Sequence, residues 1–298
     1  MSNVTFELAP YLEERRGLIN EALKRELARL PSDSRVKAAM DYSLNAGGKR
    51  VRPVLCLAAA DAVGGDFHSA LSMACAFEMI HTFSLIHDDL PAMDDDDMRR
   101  GRPTCHKAFD EATALLAGDA LLSHAFEMAC RKVPDIDPGR YLKVLHSMAR
   151  SVGCFGMIEG QMRDLLGETH IVSLQELEAI HRLKTGAIIE ASLFCGGTIG
   201  GGNEKQLAAL EAFGRRIGLA FQVTDDILNV EGDPRILGKA TGTDLARNKS
   251  TYPALMGLER AREFAGQLIQ DALKALADFD NRSDPLRSIA NYIVARRR

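Results

Sequence analysis

Residues 68–90 and 204–230 are apolar on nearly every face of a helix until their C-terminal ends, where each stretch carries a pair of aspartates. A helix that is apolar all round has to be enclosed by others, so both stretches belong at the centre of a bundle. The rest of the chain supplies the enclosure. Apolar residues recur at three- and four-residue spacing from Tyr11 to Leu30, where Pro31 ends the pattern. A short helix over 36–44 runs into Gly47-Gly48, and Pro53 suits the first turn of an apolar helix ending at Gly64-Gly65. Further helices are expected over 113–131, 141–150, 174–194, 258–279 and 286–296. No run of alternating residues bounded by turns argues for a strand. Without an internal repeat or long linker, the expectation is all-α, with one domain over residues 1–298.

Composition narrows the function. Hydrophobic residues make up 46% of the 298, enough for a sizeable core, while aromatics are 6% and Trp is absent. That balance argues against a sheet sandwich and against a base-stacking surface. A net charge of -4 does not suit a generally cationic binder of nucleic acid or anionic lipid, so neither is expected as a partner. The six cysteines form no Cys-x-x-Cys pair and read as free thiols of a reducing compartment. The first residues carry Glu7, Glu13 and Glu14 without a long apolar run, and no segment approaches the length of a bilayer span. The expected location is the cytoplasm.

The chemistry concentrates at the two aspartate pairs. Acidic groups at a helix C-terminus oppose the macrodipole, so Asp88 and Asp89 need a cation there. A divalent metal meets that need, and oxygen-only ligands suit Mg²⁺. On an unbroken helix Asp88 and Asp94 would diverge, since six residues turn through about 600°. Pro91 between them breaks the helix and can return Asp94 toward Asp88. Taken alone, this Asp run reads more readily as a solvated loop. The second pair, Asp225-Asp226, again lies in an apolar helix, with Asn229 one turn on from Asp225. Two such pairs suit a shared polyanion. Neither segment has the Gly and terminal Glu of an EF-hand loop.

Basic residues match the acidic ones. Gly47-Gly48-Lys49-Arg50-Val51-Arg52-Pro53 joins exposed amides to three cations before a helix N-terminus, which suits a phosphate nest without the spacing of a Walker loop, although such a turn taken alone is more often a plain surface turn. Arg99-Arg100-Gly101-Arg102 follows the first Asp cluster, where an internal salt bridge is the rival reading. Lys184-Thr185-Gly186 interrupts an apolar helix, and Lys239 lies beyond the second pair. The ligand implied carries several phosphates.

These segments, in this order, resemble the trans-isoprenyl diphosphate synthases, most closely their bacterial farnesyl-type branch. The resemblance also rests on Gly118-Asp119-Ala120-Leu121 and Lys249-Ser250-Thr251-Tyr252-Pro253, and runs from about Gly47 to Pro253. It implies an orthogonal helical bundle of the isoprenoid synthase type with a central active-site cavity, active as a homodimer. It implies about three Mg²⁺ ions per site, held by Asp88, Asp94 and Asp225, with Lys184 completing the catalytic set. Arg99, Lys184, Thr185, Gln222 and Lys239 are expected to contact an allylic diphosphate. Gly48, Lys49, Arg52, His81 and Arg100 are expected to hold isopentenyl diphosphate. The reaction implied is head-to-tail condensation of isopentenyl diphosphate with dimethylallyl or geranyl diphosphate to farnesyl diphosphate, with geranylgeranyl or geranyl diphosphate as the alternative product. Phe83 and Ser84 fall where the family sets product length. Phe83 precedes Asp88 by five residues, about 7.5 Å along the helix axis.

Asn229 departs from the family pattern, which usually has Asp there, so metal ligation is assigned to Asp225 alone. Two rival readings remain. A helical metal-dependent phosphohydrolase would want several His ligands, where Asp dominates here. A non-catalytic synthase subunit typically loses an Asp pair, and both are present.

Overall fold

The computed structural model describes residues 6–131, 136–168, 172–231 and 250–296. The chain begins with α1 (Leu8–Leu27), α2 (Arg35–Leu44) and α3 (Val51–Ala62). A 3₁₀ turn (Phe67–Ala70) leads into α4 (Leu71–Asp88), which ends at the first aspartate pair. After the Asp run come α5 (Cys105–Ala108), α6 (Glu111–Ala129), α7 (Pro138–Val152) and α8 (Met157–Gly167). Then α9 (Leu174–His181) passes through a π turn (Arg182–Gly186) into α10 (Ala187–Ile199). The long α11 (Glu204–Glu231) carries the second pair, and α12 (Tyr252–Met256), α13 (Leu258–Ala275) and α14 (Asp284–Ala295) complete the described residues. The all-α expectation holds.

The starts of several helices follow local rules. Ser34 caps α2 by accepting from Lys37 N–H, Asp110 caps α6 by accepting from Thr113 N–H, and Asp137 precedes Pro138 at the start of α7. Ser173 and Glu176 form a reciprocal capping box on α9. Packing then follows apolar content. Helix α4 lies against α6 and α3, and α10 is sandwiched among α3, α7 and α11. Met73, Phe77, Met79 and Ile80 on α4 and Phe213 and Ile217 on α11 are fully buried. Each contributes about 2 kcal/mol by leaving water, so these helices are anchored well before their polar ends.

Four expectations are corrected. Helix α8 is absent from the periodicity reading because Gly156 offers no capping side chain and Gly160 and Gly167 weaken the pattern. The stretch 174–194, expected as one helix, is broken by the π turn. A two-residue antiparallel ladder, β1 (Met98–Arg99) with β2 (Arg102–Pro103), follows the Asp run and is too short to show alternation. Finally, Phe67–Asp88 is long and apolar enough to cross a membrane, contrary to the expectation on length. With 67% of its apolar window buried inside the protein, it is a core helix. All six thiols are free: Cys56, Cys75, Cys105 and Cys195 are buried, Cys130 and Cys154 exposed.

Candidate active site

A cavity of about 530 Å³ opens among α3, α4, α8, the π turn and α11. Helix α3 contributes Arg52, and α4 contributes His81, Phe83, Ser84 and Asp88. The π turn adds Lys184 and Thr185, and α11 adds Gln222 and Asp225. Nine residues named from the sequence thus share one wall, although they span almost the whole middle of the chain.

The two aspartate pairs split in the same way. Asp88 lines the cavity, whereas Asp89 is buried and receives Arg99 Nε at 2.7 and 2.9 Å and Arg99 Nη2 at 2.6 Å. Asp225 lines the cavity, whereas Asp226 is buried and accepts the Tyr252 N–H at 2.9 Å, tying α11 to the start of α12. One member of each pair is structural. The chain turns back after Pro91, so that Asp94 N–H donates to Asp88 C=O at 2.8 Å. Burial lifts the Asp88 carboxyl to about 6, with Asp94 and Asp89 adding to it and Lys184 and Arg99 opposing. A carboxyl so placed gains from a nearby cation.

The π turn gives the site its lysine. Lys184 Nζ donates to Asp164 Oδ2 of α8 at 2.6 Å. Thr185 Oγ1 donates to Gln222 Oε1 at 2.9 Å, linking the turn to α11. Helix α8 approaches closely because position 160 is Gly: a Cβ there would lie 2.1 Å from the Lys184 nitrogen. A π turn in an α-helix is a frequent mark of a functional position.

The glycine-rich turn is built differently from a plain phosphate nest. Gly48 has φ +134°, and a Cβ there would meet the Arg100 guanidinium at 2.7 Å. Arg100 Nη1 donates to Gly47 C=O. Arg50, with φ 52°, turns inward and donates to Glu78 Oε1 at 2.6 Å, Leu44 C=O at 2.6 Å and Asn20 Oδ1 at 3.0 Å. Of the three cations in this turn, Arg50 is therefore part of the core, Arg52 faces the cavity, and Lys49 is exposed. Burial and the surrounding arginines, Arg52 foremost, push the His81 imidazole well below its usual range.

Arg99, named as a diphosphate contact, sits on Asp89 beside a separate small recess that also includes Arg100. Lys239 lies outside the described residues. Asn229 is buried. Residues missed by the sequence reading include Met157, Ile158, Gln161 and Met162 on the cavity wall, and Asp164 beneath Lys184. All belong to α8, which left no periodic signal. Arg296 was also missed: its guanidinium donates to Asp225 Oδ1 at 2.6 Å.

The cavity carboxylates suit Mg²⁺, being oxygen donors alone, and a guanidinium already stands against one of them as a cation would. Among the described residues, the side-chain donors that converge within 4.8 Å belong to Asp95, Asp97 and His106 instead.

The chain matches the polyprenyl synthetase family over residues 33–291. The chain belongs to that family. It is a prenyltransferase. Its relatives include the heterodimeric geranylgeranyl pyrophosphate synthase large subunit 1 of Arabidopsis thaliana, 47% identical over 98% of this chain and 80% of that protein. The farnesyl diphosphate synthase of Geobacillus stearothermophilus is 45% identical over 96% of this chain and 97% of that protein. Among solved structures, an FPP/GFPP synthase from Zymomonas mobilis superposes with TM-score 0.86 at 39% identity, covering 96% of this chain and 98% of its own. Polyprenyl synthetase membership excludes the phosphohydrolase reading.

Proposed function

We propose that this prenyltransferase condenses isopentenyl diphosphate with dimethylallyl or geranyl diphosphate to give farnesyl diphosphate and pyrophosphate, in one domain over residues 1–298. The observation that carries the product is Phe83. It is 6% exposed, forms part of the cavity wall, and meets the His87 ring edge-on at 5.1 Å and 86°. A ring locked in that contact is a rigid stop for a growing chain, and Ser84 beside it adds little bulk. Each buried carbon of that chain contributes about 0.8 kcal/mol, so a blocked unit is strongly disfavoured.

The chain's own residues divide the work. Asp88, Asp94 and Asp225 hold Mg²⁺, which when bound supplies Lewis-acid stabilisation of the leaving diphosphate. Lys184, Thr185, Gln222 and, by family resemblance, Arg99 and Lys239 orient that diphosphate and neutralise charge developing on it. Gly48, Lys49, Arg52, His81 and Arg100 receive isopentenyl diphosphate, with His81 neutral and able to donate one hydrogen bond. The apolar wall from α8 excludes water from the carbocation. Analysis of products from labelled isopentenyl diphosphate with each allylic partner tests this: a fifteen-carbon product is expected, and mainly twenty-carbon product overturns the assignment.

A twenty-carbon product is the second reading. Opposite chemistry at the wall favours it: Met157 and Met162 are flexible and can yield to a longer chain. Several relatives, including that of Capsicum annuum at 46% identity, are named geranylgeranyl pyrophosphate synthases. A homodimer is supported by apolar side chains exposed outside the cavity, Leu115 and Leu116 on α6 and Leu166 on α8. Sedimentation would test it. A cytoplasmic location fits the bacterial relative, while the plant relatives are chloroplastic.

A further inference from the structure

Arg296 follows the last residue of α14 and reaches back to the second aspartate pair. Its side chain is only 3% exposed. Nη2 donates to Asp225 Oδ1 at 2.6 Å and to Phe221 C=O at 3.1 Å, and Nε donates to Ile293 C=O at 3.2 Å. The guanidinium carbon stands 4.0 Å from the centre of the Phe221 ring. Phe221 and Asp225 both line the cavity. A buried, stacked, hydrogen-bonded cation thus occupies one oxygen of the carboxylate assigned above to a metal.

That arrangement conflicts with metal binding. The Oδ1 lone pair engaged in a short charge-assisted bond is not available to an ion. An ion on Oδ2 would stand within a few ångströms of the guanidinium, where repulsion between cations is strong in a partly desolvated site. Asp225 keeps 43% of its side chain exposed, so an ion can reach it. Arg296 is also free to leave without unwinding α14: its backbone is already extended, φ -67° and ψ 148°.

We propose that Arg296 is a positioning residue that holds Asp225 in the metal-free enzyme and yields Oδ1 when metal binds, so that the end of α14 sets the metal concentration the enzyme requires. The inference rests on Asp225 being a metal ligand. It makes Arg296 a competitor of the ion.

Mn²⁺ alone, followed by electron paramagnetic resonance on the full-length protein without substrate, tests this directly. Arg296→Gln should tighten Mn²⁺ binding about three- to tenfold, the worth of one partly exposed ion pair, and lower the Mg²⁺ needed for half-maximal turnover by a similar factor. In an Asp225→Asn background the same substitution should have no effect, because the competition is lost. Arg296→Lys, which keeps the charge but not the fork, should fall between wild type and Gln and guards against a poorly folded Gln variant. Unchanged or weaker Mn²⁺ binding in both Arg296 variants, with Asp225→Asn still weakening it, overturns the competition and leaves the metal assignment standing. Unchanged binding in Asp225→Asn overturns both.

Discussion

Lys184 Nζ and Asp164 Oδ2 lie 2.6 Å apart, so α8 holds the π-turn lysine at the cavity wall. Lys184→Ala should lower turnover by roughly 10²- to 10³-fold, the usual worth of a charge-stabilising donor. Asp164→Asn should cost less, about tenfold, because the amide still accepts from the ammonium. Combining the two should be no worse than Lys184→Ala alone, since Asp164 acts through the lysine. Steady-state kinetics of the three variants decides this, and additive losses would give Asp164 an independent role.

Removal of either cavity carboxylate should abolish metal-dependent turnover. Asp88→Ala and Asp225→Ala are expected to lose several orders of magnitude while the helical circular dichroism stays intact, and excess chelator should silence the wild type. Near-normal rates in either variant would refute the assignment. By contrast, Asp226→Ala should act on stability, by about 1–3 kcal/mol, because it leaves the buried Tyr252 N–H without its acceptor. Thermal denaturation separates the two kinds of loss.

Product length should move with Phe83. Phe83→Ala removes the ring that meets His87, and products should shift from fifteen toward twenty carbons or more. The substitution should also cost about 3 kcal/mol or less, since one side of the ring already faces a cavity. Chromatography of dephosphorylated products gives the answer. An unchanged length distribution would place the stop elsewhere on the wall.

His81 should make the fold sensitive to acid. Its folded-state pKa is depressed by burial and by Arg52, Arg100, Arg99 and Arg50, so the unfolded chain binds the extra proton first. The corresponding stability is fully present above about pH 6.5 and declines as pH falls below it, by up to about 1.4 kcal/mol per pH unit. His81→Gln should flatten the denaturant midpoint against pH between about 6.5 and 5. An equally steep profile in that variant would assign the effect to other groups.

Much of this was legible in the residues. Asp88 and Asp225 were conspicuous because a carboxylate on an apolar helix near its end has no local reason to be there. Pro91 similarly announced the turn that brings Asp94 N–H to the Asp88 carbonyl. Their neighbours were not separable by type: nothing in Asp-Asp says that Asp89 will be taken by Arg99 and Asp226 by a backbone amide. Those partners come from distant segments, as does Arg50 on Glu78. Helix α8 was hidden by its glycines, and with it Asp164 and the methionine wall. One of those glycines, Gly160, is what lets it come so close to Lys184.

The π turn at Arg182–Gly186 also makes residue number, and not only residue type, part of the chemistry. It holds one residue more than an α-helical path would need, and each residue carries about 100° of rotation. Deleting any one position there would let α9 and α10 join as a single straight rod. The two helices would stay in phase, because the wider turn is what absorbs the extra residue. Ile180 and Ile188, now both buried, would sit seven positions apart, about two α-helical turns, and both could still face the core. What a deletion would remove is the bulge that carries Lys184 and Thr185 to the cavity wall, so a chain shortened here should keep its fold and lose its turnover.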